Sequence, residues 1–551
     1  MSRDRYHWAT PGDVNAFFGL MLDNIADLLL AVGLLTAVFG FPTNVALRYM
    51  VPGTAIGVFV GDMLFFWMAL RLARQTGRGD ITAMPLGLDT PSTFGMVFFV
   101  LGPAFLAKKQ ALGVVDGAGQ NDALVFEAAI YAWQIGICSI FISGLFKLLC
   151  ALGSNWVRRV VPRAGLLGSL AGIALVLISF LPFTEVLHFP VVGLVALAVI
   201  LMTLVARIPT PGRVPGALAA LLVSGSLYYI MVGAGLLEHE HDWRQLDTAK
   251  AALFPYEWTS VFRFEWTQVL SDSMMYLPVV IPFALATVVG GIDCTESAAA
   301  SGDEFDTGQV IAVEAVATVV ASVCGGVIQT TPYIGHPAYK AMGGRAAYTL
   351  ATAIFIGTAG LLGYFGFLYV IIPKATVFPI LIFVGLEITS QSFHATPKRH
   401  YAAVVIACVP ALASLVLIFI DKFLGEMAAH GISLEQISGG LQAEIATIRV
   451  LGNGFIVTSL LWASALAAMI DRKLRVAAVC MAVAAGLSLF GIMHSPFPGA
   501  AMFLVWNLDE ASRQTPFSYT AGYLLIALMM ISWDAWLRST GYEFPLQESE
   551  H

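Results

Sequence analysis

An aspartate stands near the end of the long apolar run 273–300 of this 551-residue chain. A carboxylate inside a membrane-spanning helix costs about 2.5–3.5 kcal/mol on insertion scales, so such a residue is kept for a partner or a function. A desolvated carboxyl can exchange a proton or accept hydrogen bonds from ring N–H groups. We predict both roles for Asp293. Glu296 lies one turn nearer to the acidic loop 303–306. We expect it either to take part in proton exchange or to mark an exposed helix end.

The stretch 330–345 contains two prolines and three glycines in an otherwise apolar region, so one continuous helix cannot cross the membrane there. We predict that Gly335 lets the backbone turn, that His336 caps a half-helix and that Pro337 takes its first position. The first amides and the positive end of the helix dipole would then face a cavity inside the membrane. We expect Tyr333, Gly335 and His336 to contact a ligand, although a buried histidine can also serve only as an interior polar group.

The first half of the chain repeats this pattern at 84–92. Pro85, Gly87 and Pro91 again surround a polar cap, formed by Asp89 and Thr90. Matching interruptions in two halves predict two half-helices of opposite direction that meet near the middle of the membrane. At that depth, Asp89 and Thr90 can cap the helix, contact the ligand, or do both.

The first apolar segment carries three polar residues, Asp23, Asn24 and Asp27. A helix places Asp23 and Asp27 on one face. We predict solvent access for Asp23, near the helix start, and a cavity-facing position for Asn24 and Asp27, with Asp27 taking part in proton coupling. Glu314 and Thr318, at helical spacing, are expected to give hydrogen-bonding support.

Composition narrows the class of protein. The chain is 58% hydrophobic and 12% charged, against roughly 45–50% and 25% in soluble domains, which predicts a polytopic membrane protein. It has no basic run for nucleic acid and no signal-peptide pattern, so the first span doubles as the targeting signal. The alternation of histidine and acid at 238–242 lacks a closed metal-ligand set. Without a nucleophile–base pair or cofactor motif, we expect neither an enzyme nor a bound cofactor.

Apolar segments of about 20 residues can cross the hydrocarbon. We predict seven spans in each half and two more near the C-terminus. They are 17–39, 46–70, 84–106, 124–149, 161–181, 189–206, 215–237, 273–300, 308–326, 332–345, 346–372, 375–392, 399–421, 451–470, 474–493 and 519–537. With this count, about two thirds of the Lys and Arg residues fall in loops on the side of the N-terminus, which predicts that both termini are cytoplasmic.

Three motifs in the second half resemble the nucleobase/ascorbate transporters, closest to the adenine/guanine/hypoxanthine permease branch of this xanthine/uracil permease family. Asp293-Cys294-Thr295 is similar to an Asp-x-Thr motif whose acid contacts the base. The run 314–320 resembles the ninth span of the family. Tyr333-Ile334 and the run 343–349 resemble the tenth-span motif.

The resemblance implies an all-α transporter fold of two inverted seven-span repeats, with a substrate-carrying core and a gate that can dimerise. It also implies elevator-type movement of the core. The corresponding boundaries here are 1–150 for the first core half and 151–237 for the first gate half, a 238–264 extracytoplasmic linker, 265–373 and 374–470 for the second core and gate halves, and 471–551 for the extra C-terminal spans and tail.

One departure from the family keeps other functions open. The family has Glu-Ser where this chain has Gly335-His336-Pro337. The leading hypothesis is a symporter of the cell or inner membrane that imports a nucleobase-like compound, purine or related, with a proton rather than Na⁺. The first alternative is a bicarbonate- or sulfate-like anion transporter, in which His336 and two helix N-termini hold the anion. The second is a non-transporting membrane receptor or scaffold.

Overall fold

The computed structural model describes residues 6–114, 122–153, 163–238, 245–333, 335–394, 396–429, 436, 438–497 and 502–542. In these ranges, ten helices are long and apolar enough to cross a membrane, or up to twelve when each of two bent pairs counts as one span. The chain is therefore an integral, multi-pass membrane protein, as its composition predicts. Residues 239–242 of the His- and acid-rich stretch, and Ile334 of the family motif, lie outside the described residues.

The third member of the first run of seven apolar segments is interrupted, as predicted, and a short strand forms at the interruption. Its elements are α1 Gly12–Phe39, α2 Thr43–Thr76, β1 Leu86–Leu88, α3 Thr90–Ala111, α4 Asp122–Leu152, α5 Leu167–His188, α6 Pro190–Val205 and α7 Gly216–Gly233. A short helix, α8 (Gln245–Ala251), and the 3-10 turns Tyr256–Arg263 follow in the link to the second run.

The second run is interrupted at the same place. Its elements are α9 Leu277–Ala300, α10 Thr307–Val323, β2 Thr330–Pro332, α11 His336–Ala341, α12 Ala347–Leu361, α13 Phe365–Ile371, α14 Lys374–His394, α15 Tyr401–Ala429, α16 Gly439–Gly452 and α17 Phe455–Ile470. The two extra C-terminal segments are α18 Leu474–Leu489 and α19 Glu510–Ser539. Each of the sixteen predicted segments overlaps at least one of these elements, and the predicted fold class is confirmed.

Two predicted spans are less regular than expected. The 346–372 segment is two helices, α12 and α13, bent by 91°. The bend contains Gly363, whose φ of 77° is a backbone conformation that side chains disfavour. The 451–470 span is preceded by a further helix, α16, which is bent by 71° from α17.

The two interrupted segments meet as a pair of strands. β1 and β2 pair antiparallel, with Leu86 opposite Pro332 and Leu88 opposite Thr330. A break in a membrane helix leaves backbone N–H and C=O groups that lipid cannot satisfy. Each strand supplies hydrogen-bond partners for part of the other strand's backbone, so neither interruption is stable without its counterpart. The antiparallel register also confirms that the two segments meet with opposite direction.

A stripe of small residues brings α2 and α10 close together beside the strands. Gly53, Gly57 and Gly61 recur every fourth residue on one face of α2, where a Cβ on Gly57 would collide with Ala321 and one on Gly61 would crowd Ala317. Small residues at this spacing let membrane helices pack at short distance, where dispersion contacts replace the missing hydrophobic driving force. The stripe therefore fixes the helices on which both strands rest.

Contacts within the chain group it into two compact units, 1–160 with 177–387 and 161–176 with 388–551. The predicted core and gate division stays a prediction. In the second unit, the extra helices α18 and α19 pack with α17 around a shared core that includes Ala465, Ala478, Met481, Tyr523 and Ala527. The two extra spans thus have a structural partner in α17.

A buried histidine holds this part of the second unit together. His494 Nδ1 lies 3.0 Å from the Val450 carbonyl oxygen, which can only accept, so Nδ1 carries the proton. Nε2 then accepts from the Tyr523 hydroxyl at 2.7 Å, and that hydroxyl accepts from Trp462 Nε1 at 2.8 Å. Burial lowers the pKa of His494 to about 4. The network therefore requires the neutral imidazole.

We expect the second unit to lose stability as the pH falls from about 6.5 towards 4. In that range the unfolded chain binds a proton at His494 that the folded chain does not, so the free energy of unfolding decreases by up to roughly 3 kcal/mol. The stabilisation is fully present above the pKa of the unfolded state. Thermal unfolding midpoints of the detergent-solubilised protein across this pH range measure the effect.

His494→Asn is the matched control, because asparagine tolerates the φ of 59° at this position. Its amide can also donate to Val450. We expect this variant to lose the pH dependence, and the same slope in both proteins would contradict the role of His494.

Candidate functional site

An asparagine on α1 holds the end of β1. Asn24 is fully buried, and its Oδ1 accepts a hydrogen bond from the backbone N–H of Leu88 at 3.0 Å. Its Nδ2 donates to the Leu20 carbonyl at 2.9 Å. In the structure, each end of its amide makes one hydrogen bond to backbone, and the predicted ligand contact of Asn24 stays a prediction. Asn24 therefore positions β1.

Two carboxyls on α1 lie beside the same strand. Asp27 is fully buried, and its Oδ2 accepts from the hydroxyl of Thr90, the first residue of α3, at 3.0 Å. Asp23, one turn earlier, is 4% exposed. Its predicted solvent access is therefore wrong, because β1 covers this face of α1 at Gly87. The structure brings Asp27 and Thr90 together, and their hydrogen bond ties α1 to α3.

The start of α3 is capped by Asp89. Its Oδ2 accepts from the Ser92 N–H at 2.9 Å, and this confirms the predicted cap. The Asp89 N–H donates to the Gln329 carbonyl, 3.1 Å away and immediately before β2. Gln329 Oε1 in turn accepts from Ser143 on α4 at 2.6 Å. The cap is thus linked to both interrupted segments and to a neighbouring helix.

An acid on α2 also supports β1 and escaped the sequence analysis. Asp62 is fully buried, and its Oδ1 accepts from the Leu86 N–H at 3.2 Å. The signal was present, because Asp62 is an isolated carboxyl in the apolar segment 46–70. β1 is therefore held at one end by Asp62 and at the other by Asn24.

A buried ion pair supports β2 in the same way. Lys147 Nζ on α4 lies 2.8 Å from Glu314 Oε1 on α10, and both side chains are fully buried. Nζ also donates to the Thr330 carbonyl at 3.1 Å, and Thr318 Oγ1 accepts from the Thr330 N–H at 3.4 Å. The predicted supporting role of Glu314 and Thr318 is confirmed. The orientation count includes Lys147 among the cations on the side of the N-terminus, but this lysine is buried within α4, which continues to Leu152.

The predicted substrate acid lies on α9, beside β2. Asp293 is half-buried, and its neighbour Cys294 donates from Sγ to the Pro332 carbonyl at 3.4 Å. Tyr333 follows β2, and its backbone N–H donates to the Pro85 carbonyl at 2.9 Å. Glu296 is also half-buried, one turn further along α9. These residues border the strand pair. They belong to the second repeat, whereas α1 belongs to the first.

His336 is directed away from this group. It is fully buried, with Nε2 3.2 Å from the Thr82 carbonyl and 3.3 Å from Asp303 Oδ2. Lys340 Nζ lies 2.5 Å from Asp303 Oδ1, and the Thr82 N–H donates to Oδ2 at 3.0 Å. Burial by itself raises the pKa of Asp303, but the hydrogen bonds from His336 and Lys340 outweigh it and hold the pKa below its ordinary value.

The cap of α11 is one residue earlier than predicted. Gly335 occupies the cap position, and His336 is the first helical residue. The cap is shifted because the His336 imidazole lies against Asp303, in the loop between α9 and α10. A side chain at Gly335 would collide with the Tyr333 ring, so glycine is needed where the segment turns.

Comparison with known proteins gives structural likeness only. No family model and no curated protein matches the chain. Among solved structures, the transmembrane domain of a cyanobacterium bicarbonate transporter, BicA, is 15% identical with a TM-score of 0.43, over 75% of this chain and 96% of that one. SLC26A9 is 11% identical with a TM-score of 0.38, over 73% of this chain and 62% of that one.

These comparisons leave the finer family assignment as a prediction. BicA is a bicarbonate transporter. What the geometry itself provides is a pair of interrupted segments, held by buried polar side chains, with several carboxyls on the helices around them. Such an arrangement can exchange protons and can accept hydrogen bonds from a ligand's N–H groups.

Proposed function

We propose that this protein is a secondary active transporter that takes up a nucleobase-like compound together with protons. The observation that carries this proposal is the antiparallel pairing of β1 and β2, each followed by the N-terminal end of a helix. Interrupted helices that meet inside a membrane place backbone polar groups at a ligand site. A channel-like pore or a scaffold does not require two such breaks in matching positions.

The side chains around the strands favour a neutral, N–H-bearing substrate over an anion. They include five carboxyls, which accept hydrogen bonds from ring N–H groups and, where ionised, repel an anion: Asp23, Asp27, Asp62, Asp89 and Asp293. The N-terminus of α3 is already satisfied by its aspartate cap. An anion would have to compete with that carboxylate.

The position of His336 also weighs against the anion alternative. That hypothesis uses the histidine as a ligand for bicarbonate or sulfate, but its Nε2 is engaged by Asp303 and Thr82. Only the buried Nδ1, which has no hydrogen-bond partner among the described residues, is left for such a ligand. The imidazole therefore supports α11 from the side of the 301–306 loop. In our proposal, Tyr333 and the start of α11 contribute to substrate recognition, and His336 holds them in place.

In this account, Asp293 accepts a hydrogen bond from the substrate ring, and Glu296 lies on the route by which protons reach it. The moving body is the part of the first unit that carries β1 and β2, in an elevator-type transition. We further propose that both termini are cytoplasmic and that two copies associate through the 151–237 and 374–470 segments.

We expect Asp293→Asn to abolish proton-driven uptake while the protein remains folded in the membrane. The amide keeps the size of the side chain but removes the charge and the capacity to exchange a proton, and losing a charged hydrogen bond of about 3 kcal/mol lowers uptake roughly a hundredfold. Initial rates in proteoliposomes with an imposed pH gradient measure this.

Asp247→Asn is the matched control, because Asp247 lies on α8 and its side chain is 79% exposed. Size-exclusion chromatography of both variants tests folding. Undiminished proton-coupled uptake by a monodisperse Asp293→Asn protein would refute the role of this residue.

A further inference from the structure

Asp23 and Asp27 form a carboxyl pair on α1, and support of β1 does not explain why both are buried with unpaired oxygens. Asp23 and Asp27 are spaced one helical turn apart, and both are more than nine-tenths buried. Within the described residues, Oδ1 of each carboxyl has no hydrogen-bond partner. Two carboxylates this close, with unsatisfied oxygens and little water, cannot both be ionised at low cost. A bound proton removes one charge and turns an unsatisfied acceptor into a donor.

Other ionisable groups around the pair add to this argument. From neighbouring elements, Asp89 before α3 interacts electrostatically with Asp27, and Tyr333 and Tyr339 of the segment around α11 interact with Asp23. Behind these two phenols, Glu387 of α14 interacts with Tyr333, and Asp62 of α2 interacts with Tyr339. These groups are acids or phenols and give the pair no compensating positive charge. Lys374 contacts α1 at Gly33, well beyond Asp27.

The pair is also connected to the interrupted segment. Asp27 Oδ2 accepts from the Thr90 hydroxyl at 3.0 Å, and Thr90 is the first residue of α3. A hydrogen bond to an ionised carboxylate is roughly twice as strong as one to a neutral group. Loss of a proton from Asp27 therefore tightens the contact between α1 and α3, and gain of a proton loosens it.

We propose that Asp23 and Asp27 together bind the coupling proton, and that Thr90 transmits the protonation state of Asp27 to the start of α3. This inference rests on the proposed transport function for its physiological meaning, while the proton-binding step is a property of the protein alone. It adds a proton store on α1, in the first repeat, to the substrate contact and proton exchange proposed for Asp293 in the second repeat.

Infrared difference spectroscopy of the purified protein in lipid nanodiscs tests the proton site without any substrate. At neutral pH, we expect the wild type to show carboxylic-acid C=O intensity that is lost in the double variant of Asp23→Asn and Asp27→Asn. Asp247→Asn, on exposed α8, should leave this intensity unchanged. If the folded double variant keeps the full intensity, the pair holds no proton and the proposal is overturned, whatever the protein transports.

Transport measurements then test the link through Thr90. Thr90→Val keeps the shape of the side chain but removes the donor, so we expect pH-driven accumulation to fall about tenfold while the infrared intensity remains. In Asp27→Asn, exchange at equal pH should persist while accumulation is lost. Accumulation that follows a Na⁺ gradient instead of pH, or an equal loss of exchange and accumulation in both variants, would overturn the coupling role. If the wild type transports nothing, the transport function fails and the infrared result alone decides whether the pair binds a proton.

Discussion

Replacing Lys147 by methionine is expected to destabilise the protein by about 3–5 kcal/mol, because it leaves Glu314 as an uncompensated buried charge. The two side chains are fully buried and 2.8 Å apart. The lysine also donates to the Thr330 carbonyl, so β2 loses one of its supports. Unfolding of the detergent-solubilised variant by heat or denaturant measures the loss, and we expect substrate uptake to disappear with it.

The rescue variant separates buried charge from lost packing. Adding Glu314→Gln to Lys147→Met removes the orphaned charge, and we expect more than half of the lost stability to return. Lys250→Met is the control, since that side chain is 64% exposed on α8. A single variant as stable as the wild type, or a double variant no better than the single one, would contradict the assignment of this pair as the support of β2.

Asp303→Asn is expected to cost a similar amount, about 3–5 kcal/mol, because Asp303 is the buried acceptor for Lys340, His336 and the Thr82 N–H. Thr82 precedes β1, and the other two partners belong to α11. The variant therefore loosens both interrupted segments at once. We expect a lower unfolding midpoint and lower uptake, measured on the same preparation.

Two controls test this role of Asp303, namely the pH dependence of stability and a substitution at the neighbouring Asp306. The pKa of Asp303 is held below its ordinary value, so its stabilisation is present above about pH 4 and is lost as the pH falls through the lowered pKa. Asp306→Asn is the matched substitution, because Asp306 is exposed and caps α10, where asparagine is an equally good cap. Equal unfolding midpoints for the two variants would show that Asp303 is not the centre of the cluster.

The sequence predicted the interruptions because their causes are local. Proline and glycine at 85, 87, 332 and 335 exclude a continuous helix wherever they occur, and an aspartate before proline favours a cap. The positions of the spans follow equally from local apolarity. The pairing of β1 with β2, the central feature of the fold, depends on residues far apart in the chain, and only the matching of the two halves indicated it.

The support of the strands was harder to predict for the same reason. Lys147 and Glu314 are far apart in sequence, and a lysine near the end of an apolar segment resembles a cytoplasmic flank until its partner is known. His336 has the sequence context of a helix cap, yet Asp303, in a separate loop, moves the cap to Gly335. Asp62 is different, because its isolation in an apolar segment was visible and was overlooked.

The most direct test of the central claim is uptake by the wild-type protein in proteoliposomes with an alkaline interior. The panel comprises radiolabelled purine and pyrimidine bases, with bicarbonate and sulfate as competing anions. We predict that at least one base accumulates above its external concentration, that a protonophore abolishes this accumulation and that neither anion competes. Absence of base uptake, or uptake of an anion in its place, would contradict the account.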